Sequence, residues 1–219
     1  MVAMDIAILI YDKLAALDAT GPYEVMRNVP DWQVRFVAKQ AGEVRCEGGL
    51  GLVADATLAD AGEPDLVLVP VGIGSRSVMH DEEVLEWLRA VDRGSKWTAS
   101  VCTGSLILGA AGLLEGKRAT SNWLLLDALP RFGADPVGGR WVQDGKVITA
   151  AGVTAGIDMA LHLVSVEVGP EMAQAVQLGI EYDPDPPFDS GSPAKAPPEI
   201  VELVTSVTEA SGGLSLEPR

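Results

Sequence analysis

The segment running through Cys102 constrains the fold more than any other part of the chain. A largely apolar stretch, Trp97–Val101, leads directly into Cys102, and a small-residue helical pattern begins just after it with Thr103, Gly104 and Ser105. Short apolar runs of this kind are typical of strands buried on both faces. Followed at once by a helix, the run predicts strand, sharp turn and helix, with the Cys102 thiol at the tip of the turn. Ser100 and Gly104 fill the small positions that such a nucleophile elbow requires. A thiol there meets the positive end of a helix, which favours the reactive thiolate.

The rest of the chain extends the same pattern. Residues 5–10 read as a buried first strand. Thr20-Gly21-Pro22 opens a helix, with Thr20 as N-cap and Pro22 in the first turn. Trp32–Ala38 is a second strand, and residues 43–55, with Gly48-Gly49 inside, form a hairpin excursion. Residues 65–69 are a largely apolar run ending at Pro70, as in a central parallel strand. Asp81 caps a helix that carries Val84, Leu85, Leu88 and Val91 at helical spacing. Residues 103–114 form the helix after the elbow, where Gly109-Ala110-Ala111-Gly112 permits close packing. A short helix over 123–129 stops near Pro130. Residues 141–148 make a hairpin with an Asp-Gly turn, and helices follow over 154–166 and 170–182.

Residues 184–188 are too rich in proline for a regular helix or a central strand and run along the surface. Residues 198–208 place Ile200, Leu203, Val204 and Val207 on one face, which predicts a docked terminal helix; residues 212–219 are expected to fray. The order β-α-β-β-β-α-β-α up to the elbow helix argues for an open, mostly parallel α/β sheet with helices on both faces. Residues 1–195 form one domain, and 196–219 are a C-terminal helix and tail attached to it.

A chain of 219 residues with 47% hydrophobic content can bury one substantial core. Its 31 acidic and 16 basic residues give a net charge of -15, and Lys and Arg do not cluster. This charge would repel a phosphate backbone, so a small-molecule ligand is expected and nucleic acid is not. The chain opens with no basic-then-apolar leader, and no apolar run is long enough to cross a bilayer. The expected location is cytoplasmic, where a Cys46–Cys102 disulfide would not persist.

Ligands of open α/β sheets bind outside the carboxyl ends of the strands. Three segments should meet there: Leu17-Asp18-Ala19-Thr20-Gly21-Pro22, Pro70-Val71-Gly72-Ile73-Gly74 and the Cys102 elbow. Free cysteine is often a small core residue, but the strand-to-helix position of Cys102 favours a nucleophile. Cys46, in the hairpin, reads as a structural thiol. Cysteine nucleophiles usually work with histidine, yet His80 precedes the Asp81 cap on the surface and His162 lies inside a late helix. Asp18 remains as the acid/base. Helix capping is its ordinary alternative, but Leu14-Ala15-Ala16-Leu17 before it predicts partial burial and a raised pKa. The Gly72 and Thr103 N–H groups are candidate donors to charge developing when Cys102 attacks, with a plain tight turn as the alternative. The scattered His and Cys residues have no metal-site spacing.

These motifs, with Gly116-Lys117-Arg118-Ala119-Thr120 and Ala155-Gly156-Ile157-Asp158, resemble the DJ-1/PfpI superfamily, and within it most closely the isocyanide hydratases. The resemblance spans residues 5–193. Its most specific piece is the late segment 181–188 with Gly191-Ser192-Pro193. It implies a flavodoxin-like fold, a homodimer with active sites near the interface, and no metal or redox cofactor. It implies Cys102 as nucleophile, Asp18 as acid/base and Thr103 as a contact of the reacting groups, with Val71, Gly72, Ile73 and Asn122 around the substrate. The implied reaction adds water to an isocyanide and gives an N-formamide. Two positions depart from the family pattern. Val71 stands where the first of two glycines is common. Asn122 stands where histidine is common, and it can hydrogen-bond but cannot shuttle a proton near neutral pH. Glyoxalase or amidase chemistry and a non-enzymatic thiol sensor are the alternatives this resemblance leaves.

Overall fold

In the computed structural model, which describes residues 3–211, 213 and 216, the first strand sets the architecture. Strand β1 (Met4–Leu9) sends Ile6 and Ile8 into one apolar cluster and Ala7 and Leu9 into another, and all four are buried. A strand covered on both faces lies inside a sheet with layers above and below. The chain continues through α1 (Ala16–Met26), β2 (Trp32–Ala38) and the antiparallel pair β3 (Gly42–Arg45) and β4 (Gly51–Ala54), joined through a 3-10 turn at Glu47–Gly49. Then come β5 (Ala56–Thr57), β6 (Leu66–Val69), α2 (Ser75–Val78), α3 (Glu82–Gly94), β7 (Trp97–Val101) and α4 (Gly104–Ala110). The second half holds β8 (Arg118–Ala119), a 3-10 helix at Leu126–Phe132, β9 (Asp135–Pro136), β10 (Trp141–Asp144), β11 (Val147–Ala150), α5 (Ala155–Glu167), α6 (Pro170–Gly179) and α7 (Pro198–Ala210).

The main sheet has seven strands in the order β10-β11-β7-β6-β1-β2-β5. Only the β10–β11 pair is antiparallel. One core cluster takes in Met159, Leu163 and Val164 of α5 with Ala19 and Val25 of α1. The other takes in Leu85 and Leu88 of α3 with Leu106 and Ile107 of α4. Helices therefore cover both faces, giving a flavodoxin-like α/β fold. Among the described residues, no helix is long and apolar enough to cross a membrane.

Several local expectations are corrected. Helix α1 starts at Ala16, so Thr20 is not its N-cap; the Thr20 hydroxyl donates to the Ala16 carbonyl at 2.9 Å. Pro22 sits inside the helix because it serves packing. A β-carbon on Gly21 would lie 3.1 Å from Ile157, and one on Gly156 would lie 3.1 Å from Pro22, so α1 and α5 approach closely at these residues. Asp81 precedes α3 without a side-chain capping bond and pairs with Lys39 instead. Helix α4 stops at Ala110, short of Leu114. The segment expected as a helix over 123–129 is a 3-10 helix over Leu126–Phe132 that contains Pro130. The apolar face of α7 is not docked: Ile200, Leu203, Val204 and Val207 are 41–61% exposed. Of the tail expected to fray, only residues 213 and 216 are described; the remainder lies outside the described residues.

Candidate active site

Strand β1 neighbours both β2 and β6, and the chain reverses its direction of sheet building between β1 and β6. Such a reversal opens a crevice at the carboxyl ends of the strands. The segments after β1, β6 and β7 all end there. The Ala15 N–H donates to the Val71 carbonyl at 2.6 Å, and Leu14 bridges to Gly72, so the first two segments are clamped together. A β-carbon on Gly72 would stand 2.1 Å from the Lys13 carbonyl oxygen, so only glycine allows this approach.

Cys102 sits at the predicted elbow. Its φ is +59°, a left-handed conformation that is strained for a side-chain-bearing residue and concentrates at functional sites. The strain is held by neighbours. The Cys102 N–H donates to the Ala150 carbonyl at 2.9 Å, and its carbonyl accepts from the Ser105 and Ser121 hydroxyls. A β-carbon on Gly104 would lie 2.1 Å from the Val69 carbonyl, which explains the small residue two positions after the thiol.

Asp18 lies in the first turn of α1 and is fully buried. Neither carboxyl oxygen completes a hydrogen bond among the described residues. Burial pushes its pKa up to about 7; the nearby Val71 amide, short of full hydrogen-bond geometry, pulls it down, and Glu47 raises it. Capping does not account for Asp18, because an unsatisfied buried carboxyl costs stability.

Burial works against the thiolate expected from the helix end. The Cys102 thiol is pushed up to about 12, first by burial and then by the Asp18 charge. The Thr103 backbone N–H and the Asn122 side chain act in the opposite direction but do not prevail. Helix α4 has seven residues, and desolvation of a sulfur that is 6% exposed works against the thiolate at its end. Asp18 and Cys102 thus interact through charge without a hydrogen bond between them.

A cavity of about 290 Å3 opens at Cys102. Val71, Gly72, Ile73, Thr103 and Asn122 all line it. Asp18 does not line it, lying behind this surface. The Thr103 backbone N–H acts on the Cys102 sulfur, and the Ile73 N–H is taken by the Glu47 carboxylate. His80 and His162 stay outside the cavity, the latter stacked on Trp141 at 4.0 Å. Among the described residues no three His, Cys, Asp or Glu side chains group as metal ligands.

Sequence reasoning missed two contributors. Glu47, in the turn of the β3–β4 hairpin, lines the cavity and bears on Asp18, Cys102 and Tyr11. Tyr11 donates its hydroxyl to the Pro70 carbonyl at 2.8 Å, and burial with the neighbouring acids holds its pKa up. No local motif marks either; both act through the fold.

The chain matches the family model for the DJ-1/PfpI family over residues 4–166. It is 47% identical over 200 residues to an isonitrile hydratase of Pseudomonas putida, an alignment that covers 91% of this chain and 88% of that protein. It is 32% identical over 149 residues to the HTH-type transcriptional regulator CdhR of Pseudomonas aeruginosa, covering 66% of this chain and 43% of the regulator. A crystal structure of a ThiJ/PfpI family protein from Pseudomonas syringae superposes with a TM-score of 0.94 at 37% identity, covering 96% of this chain and 88% of that one. The chain belongs to the DJ-1/PfpI family.

Proposed function

We propose that this protein is an enzyme that adds water to a small isocyanide and releases the N-formamide. The observation that carries the reading is a buried acid, Asp18, in the field of an elbow cysteine, in a chain 47% identical to an isonitrile hydratase across most of both lengths.

With its pKa raised, Cys102 acts as a thiol whose proton must go somewhere as sulfur attacks. Asp18, titrating at about 7, is half carboxylate near neutrality and suited to exchange protons there. Sulfur bonds to the terminal carbon of R–NC as the thiol proton passes to the Asp18 carboxylate, and the same proton returns to that carbon; because Asp18 lies behind the cavity surface, the step requires the carbon to seat against the Asp18 side of Cys102. The product is the thioimidate R–N=CH–S–Cys102. Water then adds to this carbon as nitrogen gains a proton. The C–S bond breaks, the thiol recovers its proton, and R–NH–CHO leaves. One water is consumed and no electron changes hands. In this reading the Thr103 and Gly72 N–H groups and the Asn122 amide steady charge at the sulfur, and Val71 and Ile73 flank the substrate.

The test is formamide production from an alkyl isocyanide, followed by NMR. Cys102→Ala should abolish it, and Asp18→Asn should reduce kcat/KM by about 10²–10⁴-fold. Turnover that survives Cys102→Ala would overturn the reading. A much faster reaction with methylglyoxal would favour glyoxalase chemistry. Thiol sensing fits less well, because a buried sulfur of raised pKa oxidises slowly.

The working form is a homodimer. The bare α7 face, with Leu203 57% and Val207 61% exposed, is a strip that a second copy would cover. Light scattering should give twice the chain mass, and Leu203→Glu should shift it toward one. The free Cys46 and Cys102 suit a reducing compartment such as the cytoplasm.

A further inference from the structure

Residues 196–219 read in sequence as an appendage, yet their described residues reach the reaction cavity. Thr208 in the last turn of α7, Gly213 and Leu216 line the same space as Cys102 and Thr103. The Gly213 N–H donates to the Thr208 carbonyl at 2.6 Å, and a β-carbon on Gly213 would stand 2.4 Å from Thr208 Cγ2. The chain therefore turns back tightly at the end of α7. Leu216 then packs against the core cluster that includes Leu106, and its carbonyl lies 3.3 Å from His80 Nε2. Gly213 and Leu216 are thus each held, at the Thr208 turn and at the Leu216 clasp.

We propose that Thr208, Gly213 and Leu216 form a wall of the substrate pocket and that Leu216 sets the largest isocyanide substituent admitted, so that the enzyme takes compact, uncharged alkyl or aryl isocyanides. The identity of the reacting group rests on the hydratase reading; the wall does not. The isocyanide carbon must face Cys102, which leaves the substituent R in the remainder of the cavity. That remainder is bounded by Val71, Met79, Leu106, Leu124, Leu125 and Leu216. A charged R would lose its hydration there. The acid at the cavity offers a cationic R little, since Glu47 is bonded to the Ile73 N–H. A cavity of about 290 Å3 lies at the small end of the range for ligand pockets, so the loss or gain of one side chain should be felt.

The experiment uses the full chain with Leu216→Ala, Leu216→Trp and the conservative Leu216→Met. Two size ratios are measured for each: kcat/KM for adamantyl over ethyl isocyanide, and the Cys102 alkylation rate for an N-aryl maleimide over iodoacetamide, with Cys46 resolved separately by mass spectrometry. We expect both ratios to rise about 10-fold in Leu216→Ala, fall by a similar factor in Leu216→Trp and hold in Leu216→Met. A merely structural role would slow large and small probes in equal proportion, and that result, or unchanged ratios, overturns the proposal. If wild-type protein hydrates no isocyanide while the alkylation ratio still follows residue 216, the wall stands and the hydratase reading falls.

Discussion

Replacing Asp18 with asparagine should stabilise the protein while damaging its chemistry, and the stabilisation should grow with pH. The folded pKa of Asp18 is about 7 against an ordinary value of 3.8. The group is fully buried, so solvent screening does not discount the shift. A carboxyl whose folded pKa is raised binds its proton more tightly in the native state. Below pH 3.8 both states are protonated and the site exacts no pH-dependent penalty. Between pH 3.8 and about 7 only the native state holds the proton, so stability falls as pH rises, by about 1.4 kcal/mol per unit. Above about 7 the full penalty, about 4 kcal/mol, is in place. Asparagine cannot ionise and carries none of it, although its buried amide costs about 1–3 kcal/mol if its N–H groups find no acceptor. That cost is constant with pH, so the slope is the clean observable. Urea unfolding at fixed protein concentration at pH 5, 6, 7 and 8 should show the variant gaining on wild type up to pH 7 and then levelling. Parallel curves would refute the reasoning, because they would mean that Asp18 is not held in a desolvated, uncompensated position.

Other expectations follow from the same geometry. The wild-type kcat/KM should rise with pH through about 7 as Asp18 gains its carboxylate; Glu47→Gln removes a charge that raises this pKa and should move the midpoint downward, which a pH–rate profile reads directly. Gly104→Ala forces a β-carbon against the Val69 carbonyl and should cost about 1–3 kcal/mol in urea unfolding, with activity falling as the elbow shifts. Gly94→Ala, in the last turn of α3 with nothing within 4 Å, should be neutral or gain about 0.5–1 kcal/mol. Leu88→Ala, at a fully buried position, should lower stability by about 2–5 kcal/mol while leaving the pH midpoint of activity in place.

The parts of the fold that were legible in the sequence are those set by local apolar pattern. Trp97–Val101 forms a strand over the expected residues and is buried throughout, and Trp32–Ala38 forms one that buries Trp32, Val37 and Ala38. The start of α1 was misread for a physical reason. Gly21 and Pro22 punctuate a sequence locally, but here they answer to Ile157 and Gly156 on α5, and that contact is invisible along the chain. The α7 face was legible as amphipathic, but periodicity says nothing of what covers it. At the site, the position of Cys102 followed from pattern and its charge state did not. Ionisation depends on burial and on Asp18 and Glu47, which three distant segments bring together. Glu47 carries no signal in sequence: it is one acid among many, singled out only by the hairpin that carries it to the Ile73 amide.

The raised pKa of Cys102 changes what the elbow is suited for. A preformed thiolate would attack any accessible electrophile, and a hydrolase acting on carbonyls would then need donors for the oxyanion. Here the Ile73 N–H is bonded to Glu47, and the candidate donors remain the Gly72 and Thr103 amides. An isocyanide makes a different demand, because its terminal carbon must receive both the sulfur and a proton. A site in which both the thiolate and the carboxylate are costly favours transfers that never leave two anions standing. In the proposed reaction the thiol would give up its proton as Asp18 accepts it, and Asp18 would give it up as the carbon takes it. On the proposed mechanism, the burial that disfavours a free thiolate would therefore couple the two transfers that isocyanide hydration requires.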